Sequence, residues 1–393
     1  MNEVFIVDAL RTAVGSFNGA LAGTSAVELG RVVLAELLRR HGLAGKAVDE
    51  VILGCVLQAG LGQNVARQSA VAAGVPVSRP AMTINMVCGS GLRAVTLAAA
   101  AIRSGEAEVM LAGGTENMSA APYLLAKARG GYRLGHDQLL DSLIQDGLHD
   151  IFNHYHMGVT AENIAAKYGI TRRAQDAFAA ASQQRAKAAM AAGRFRDEIV
   201  PILTPQRKGE PIRFDQDEFP RPDTTVEKLA VLKPAFKPDG TVTAGNASGI
   251  NDGAAAALLA SEAACQRYGL RPMARVVSWA CCGVDPAIMG IGPVQAVHQA
   301  VERAGWLLTE VDLIESNEAF AAQSLAVTKE LGWDLDIVNV NGGAIALGHP
   351  IGASGARILT TLLHEMKRRR VSRGLATLCI GGGMGIAACV EAV

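Results

Sequence analysis

The chain is poor in aromatic residues, has no surplus of either charge, and has no apolar run long enough to span a membrane. Phe, Trp and Tyr make up 4 % of its 393 residues, too few for a surface that stacks bases. Lys plus Arg and Asp plus Glu each number 37, so bulk charge supports neither a nucleic-acid partner nor a membrane surface. Residues 91–102 are apolar but too short for the ~18 residues of a span, and Arg93 interrupts them. The seven cysteines form no CxxC pair and no even framework. With no recognisable signal peptide or C-terminal sorting tripeptide, they read as reduced thiols of a cytoplasmic protein. No GxGxxG opens a helix after the first strand with an acidic residue about 20 positions on, so dinucleotide binding is set aside. His149, Asp150, His154 and His156 lack ordered ligand spacing and read as a solvated or substrate-lining loop, so no metal is expected.

What is present is length, small residues and a repeated pattern. A half-hydrophobic chain of 393 residues is long enough for two or three domains. Strands are expected over 4–7, before an Arg11-Thr12 turn, and over 51–54 and 109–114. Helices are expected over 26–40 and 62–74. Alternating strands and helices indicate an α/β layer structure. From 120 to 244 charge rises and strands are hard to find. A helix over 171–192 has Thr171 as N-cap and Gly193 as stop. Residues 201–238 read mostly as loops. The last third repeats the first: 274–278 is a strand, 294–304 a helix, 338–341 echoes 82–85, and 378–383 echoes 111–114. The offset of about 260 residues fits a duplicated domain.

The stretch 82–91 leads into a helix whose apolar residues leave it no solvent face, so that helix is buried. Cys88 stands where the preceding strand turns into it. The bland reading is a small core residue beside a turn. The reactive reading is a nucleophile whose pKa is lowered by the positive end of the helix. Partners for such a thiol lie at three turns of the last third: Asn317-Glu318-Ala319-Phe320, Gly348-His349-Pro350-Ile351-Gly352, and Cys379 before Gly381-Gly382-Gly383. A His beside a Cys can take the thiol proton. Gly-rich backbone can point N–H groups at a developing oxyanion. A second thiol, Cys379, can act as acid and base.

These motifs, with Asn85 to Gly91 around Cys88 and Asn341 to Gly355 around His349, resemble the thiolases over the whole chain. The short-chain, acetoacetyl-CoA-specific branch is the closest likeness, through His156-Met157. The resemblance implies an αβαβα fold of two duplicated α/β halves. Residues 1–120 (completed by 243–271) and 272–393 would be the halves, and 121–242 an inserted loop and helical subdomain covering CoA. It implies Cys88 as the acyl-accepting nucleophile and His349 as its activator. Cys379 would be the base for the α-proton. Asn317 would hold a water that forms one oxyanion hole with His349, and the backbone N–H groups of Cys88 and Gly381 would form the other. Leu148, His156, Met157, Arg221, Phe236, Ala244, Ser248, Ala319 and Phe320 fall at CoA-contacting positions. His156-Met157-Gly158 with Thr160 to Asn163 resembles a loop over the pantetheine. Lys228 departs from the small polar residue of the pattern. CoA and acyl-CoA would be substrates, with no separate cofactor, no nucleic acid and no membrane partner. A homotetramer (a dimer of dimers) would form through 121–141. The implied activity is reversible acetyl transfer between two acetyl-CoA molecules. A short-chain 3-ketoacyl-CoA thiolase of broader range is the near alternative. A ketoacyl-synthase-type condensing enzyme, a Cys-His hydrolase and a non-catalytic relative are the others. Condensing enzymes lack a catalytic second Cys, so Cys379 argues against that reading.

Overall fold

The computed structural model describes residues 2–204 and 209–393. Strands β1 (Val4–Thr12), β2 (Glu50–Gly54), β3 (Ala81–Ile84), β4 (Val109–Asn117) and β5 (Asn251–Ser261) form one sheet in the order β3-β2-β4-β5-β1. Strands β6 (Ala274–Gly283), β7 (Leu313–Ser316), β8 (Arg373–Ile380) and β9 (Met384–Ala392) form a second, in the order β7-β8-β9-β6. The two join where Phe5 pairs with Arg275 and Ile6 with Ala274.

The second sheet repeats the first. Strand β5 runs antiparallel between β1 and β4, and β9 antiparallel between β6 and β8. Strand β2 is parallel to β4, as β7 is to β8. The expected strand over 338–341 is reduced to a single parallel bridge between Ile314 and Val338, standing where β3 pairs with β2. Asn339 turns the chain away at φ 47°. Its side chain takes over the ladder, accepting from Ser316 N at 2.8 Å and donating to Ser316 O at 2.7 Å.

Helices α1 (Ala26–Arg40) and α2 (Val65–Ala72) cover the outer face of the first sheet. Helices α3 (Ser90–Ser104), α4 (Met157–Tyr168), α5 (Arg172–Ala191), α6 (Gly292–Ala304), α7 (Ala321–Leu331) and α8 (Ser354–Arg369) follow. Helix α6 covers the outer face of the second sheet, while α3 and α8 lie between the two sheets. The result is the expected αβαβα stack. Its central core joins Leu92, Val95 and Ile102 of α3 to Ile358 and Leu362 of α8 and to Leu378 of β8. Each such side chain contributes roughly 1.5–3 kcal/mol on burial. The two central helices touch through glycine. A Cβ on Gly355 would stand 2.4 Å from Leu92 N, so a side chain there would push them apart.

Local chemistry sets the helix ends. Ser25 Oγ accepts from Glu28 N at the start of α1, and Arg39 and Arg40 close its last turn. Thr171 caps α5, and Gly193 follows it at φ 65°. Helix α2 is shorter than expected because Asn64, itself left-handed, caps it. Helix α3 is not buried all round: Arg93, Leu97, Ala100 and Ala101 are half-buried. Strand β1 runs on through the expected turn. Arg11 is fully buried there, bonded to Glu198 at 2.6 Å and to Asp217 at 2.6 and 2.9 Å. Those partners come from residues 121–242, which also hold small ladders: Tyr123–Leu124 with Leu140–Asp141, His149–Asp150 with Tyr155–His156, and Ile202–Thr204 with Ile212–Phe214. Of the loops expected over 201–238, residues 205–208 lie outside the described residues.

Candidate active site

The turn from β3 to α3 is held by its own polar side chains. Asn85 Oδ1 accepts from Val87 N at 2.9 Å. Ser90 Oγ accepts from Met86 N at 2.8 Å and donates to Val87 O at 2.7 Å. This forces Val87 to φ 45°, a left-handed conformation that costs a β-branched residue on the order of 1–3 kcal/mol. Cys88 follows directly at the head of α3 and is 9 % exposed. The second half meets it closely: a Cβ on Gly89 would lie 2.4 Å from Ile380 Cδ1.

Three turns beside the second sheet border the same cleft as Cys88, through His349, Gly381 and Ala319-Phe320. His349 N donates to Asn251 Oδ1 at 2.9 Å. Gly348 before it sits at φ 102° with no room for a Cβ beside that amide. The His349 ring Nδ1 contacts Ser354 Oγ at 2.6 Å. At the end of β8, Cys379 is buried, and Gly381 directs its backbone N–H toward the Cys88 sulfur, as does Cys88's own N–H. After β7, Asn317 is fully buried, and neither amide atom has a hydrogen-bond partner within the protein. The next residue, Glu318, anchors this turn. It accepts from Ser182 Oγ at 2.7 Å, Asn339 Nδ2 at 2.9 Å and Ile345 N at 3.2 Å.

Cys88, His349 and Gly381 line one cleft of about 380 Å³. So do Leu148, His156, Met157, Arg221, Phe236, Ala244, Ser248, Ala319 and Phe320, every residue expected at a substrate contact. Cys379 and Asn317 do not line it. Both are buried, Cys379 in one apolar cluster with Met157, Ala247 and Phe320 of its wall, and Asn317 two residues before Ala319. The segment expected as a loop from Met157 is helix α4. His156 caps it, Nδ1 accepting from Gly158 N at 3.0 Å. The His156 ring stacks on Phe236 at 4.6 Å, and Phe236 meets Phe320 edge-on at 6.3 Å. Ala247 pairs with Phe320 and Ser248 N donates to Ala319 O at 2.9 Å, so the returning chain and the Asn317 turn form one wall. Met118, Phe219, Met289 and Ile351 also line the cleft. Sequence reasoning missed them, for an apolar wall carries no chemical mark. A larger open groove of about 1080 Å³, bordered by Arg40, Arg271 and Lys367 among others, shares no residue with this cleft. Among the described residues, no group of three or more His, Cys, Asp or Glu could hold a metal ion.

The electrostatics correct one expectation. The Cys88 thiol is pushed up to about 11, because burial outweighs the two N–H groups that favour its thiolate. Burial, and then the charge of Arg357, pushes His349 down to about 3. Burial and the neighbouring Cys88 raise Cys379. The resting site therefore holds two thiols and a neutral imidazole. Such a site is buried and has N–H donors aimed at one sulfur. It favours a reaction that creates a negative oxygen beside Cys88.

Comparison with known proteins agrees with this geometry. The family model described as "Thiolase, N-terminal domain" matches residues 4–263 and "Thiolase, C-terminal domain" residues 270–392. The acetyl-CoA acetyltransferase of Pseudomonas aeruginosa is 66 % identical over 98 % of both chains. The crystal structure of the Bacillus anthracis acetyl-CoA acetyltransferase superposes with TM-score 0.98 at 48 % identity, covering 100 % of this chain and 99 % of that one. That of human mitochondrial 3-ketoacyl-CoA thiolase in complex with CoA gives 0.96 at 45 % identity, covering 100 % and 98 %. By sequence along its whole length and by fold, this chain belongs to the thiolase family.

Proposed function

We propose that the protein is an acyltransferase catalysing the reversible condensation of two acetyl-CoA to acetoacetyl-CoA and CoA. The observation that carries the reading is the convergence of Cys88, His349 and Gly381 on one cleft, with Cys379 buried in one apolar cluster with Met157, Ala247 and Phe320 of its wall. In the first half-reaction Cys88 sulfur attacks the thioester carbon of acetyl-CoA while its proton passes to His349. The oxyanion is held by the N–H groups of Cys88 and Gly381. The carbon–sulfur bond to CoA breaks, Cys379 protonates the leaving thiolate, and acetyl-Cys88 remains. In the second, the Cys379 thiolate takes the α-proton of another acetyl-CoA. Its thioester oxygen is stabilised by protonated His349 and by a water on Asn317, whose amide has no protein partner. The resulting carbon nucleophile attacks acetyl-Cys88. Acetoacetyl-CoA forms, Cys88 leaves as thiolate, and His349 returns the first proton. Protons and electrons balance within the site, so CoA and acyl-CoA enter as substrates and no separate cofactor is invoked.

In this reading residues 1–120 with 243–271, and 272–393, are the two halves, and 121–242 cover the CoA. The arm 121–141 joins protomers into a tetramer, for which the exposed Tyr123, Leu125, Leu134 and Leu139 supply an apolar surface. Among the described residues, no helix is long and apolar enough to cross a membrane, and the reduced thiols suit the cytoplasm. The test is consumption of acetoacetyl-CoA with free CoA, followed by absorbance. Turnover by the wild type and none by Cys88→Ala supports the reading; a well-folded wild type without turnover refutes it.

A further inference from the structure

The structure assigns Ser354 as the positioning residue that fixes the tautomer of His349, a residue of the Cys88 cleft, with the hydrogen on Nδ1 and Nε2 left bare. The assignment rests on the reading of His349 as the group that takes the Cys88 proton. Ser354 opens α8 and is fully buried. Its Oγ has two close neighbours, His349 Nδ1 at 2.6 Å and the Pro350 carbonyl at 2.8 Å. A hydroxyl has one hydrogen to donate. The carbonyl has none, so the hydroxyl donates to it. The 2.6 Å contact then takes its hydrogen from Nδ1. A neutral imidazole carries one N–H, so Nε2 is left as a bare acceptor. The opposite assignment would set lone pairs of Ser354 and Pro350 against each other at 2.8 Å in a buried place.

The surroundings keep this arrangement rigid. The Pro350 carbonyl also accepts from Ala353 N and Ser354 N, both at 2.9 Å, which closes the turn around the ring. Asn251 holds the backbone on the other side. When the Cys88 proton moves to Nε2, Nδ1–H goes on donating to Ser354, so the ring needs no reorientation to carry the charge. The catalytic imidazole is thus prepared as a base in advance by a residue that touches no substrate.

Nitrogen NMR of the full-length protein labelled with ¹⁵N-histidine tests this directly. The His349 signals are those lost in His349→Asn. At neutral pH the wild type is expected to show a protonated, pyrrole-type Nδ1 and a bare, pyridine-type Nε2. Ser354→Ala is expected to mix the two tautomers and to slow acetylation of Cys88 by about 10–10²-fold, with KM for acetyl-CoA little changed. A wild type protonated on Nε2 overturns the assignment, and that spectrum decides even if Ser354→Ala does not fold. If the tautomer is as assigned but His349→Asn acetylates Cys88 as fast as the wild type, the assignment stands and the role given to His349 in the reaction falls.

Discussion

Asn317→Ala separates structure from catalysis more cleanly than any other change in the site. Asn317 is fully buried, yet its Oδ1 and Nδ2 bond to nothing in the protein. The amide bonds to no protein group, so its removal breaks no hydrogen bond within the protein, and a methyl is cheaper to bury than an amide whose one partner is a water, while a small void is left. The two effects oppose each other, and the net change in stability is expected within about 1 kcal/mol. The catalytic effect points one way. With no amide to hold a water against the thioester oxygen, enolate formation loses a donor, which typically costs about 10²–10³ in rate. Thermal unfolding and rapid-quench kinetics with labelled acetyl-CoA measure both. The expected outcome is a melting point near that of the wild type, prompt acetylation of Cys88, and condensation slowed by about 10²-fold or more. A large loss of stability with both half-reactions slowed equally would refute the reasoning, as would an unchanged rate of condensation.

Other variants test the remaining parts. Cys379→Ser should acetylate Cys88 more slowly, having lost the acid for the leaving thiolate, and stall at condensation, so that acetyl-Cys88 accumulates from acetyl-CoA, visible by intact-protein mass spectrometry. Gly158→Ala places a Cβ 2.2 Å from the Phe236 ring and must displace it from His156; KM for acetoacetyl-CoA should rise about tenfold or more, since a misplacement near 1 Å has large effects. The resting Cys88 is pushed up to about 11 by burial, so its alkylation by iodoacetamide in the free protein should rise about tenfold per pH unit from 7 to 10, because the thiolate is the reactive form. A plateau below pH 9 would contradict that.

Local signals made much of the fold legible. The helical spacing of apolar residues marked α1, and Thr171 and Gly193 bound α5 as expected. The duplication was visible because paired strands in both halves end in small residues at corresponding turns. Long-range effects were not visible. Nothing near Arg11 announces that Glu198 and Asp217 will neutralise it inside a strand. Nothing in residues 338–341 announces that the Asn339 side chain will replace a strand's ladder. The cleft was legible through its motifs and through the contact positions the resemblance implied, whereas Met118, Phe219 and Met289 of its apolar wall carried no signal. The thiol's pKa was misjudged for a related reason: the helix end is local and readable, whereas desolvation by the second half is not.

The most direct test of the account is the acyl-enzyme. Wild type and Cys379→Ser, mixed with acetyl-CoA and quenched in acid, are digested and the modified peptide sequenced by mass spectrometry. The account predicts one acetyl group, on Cys88, transient in the wild type and persistent in the variant, with one CoA released for each group trapped. An acetyl group on another residue, or acetoacetyl-CoA formed without any acylated protein, would contradict it.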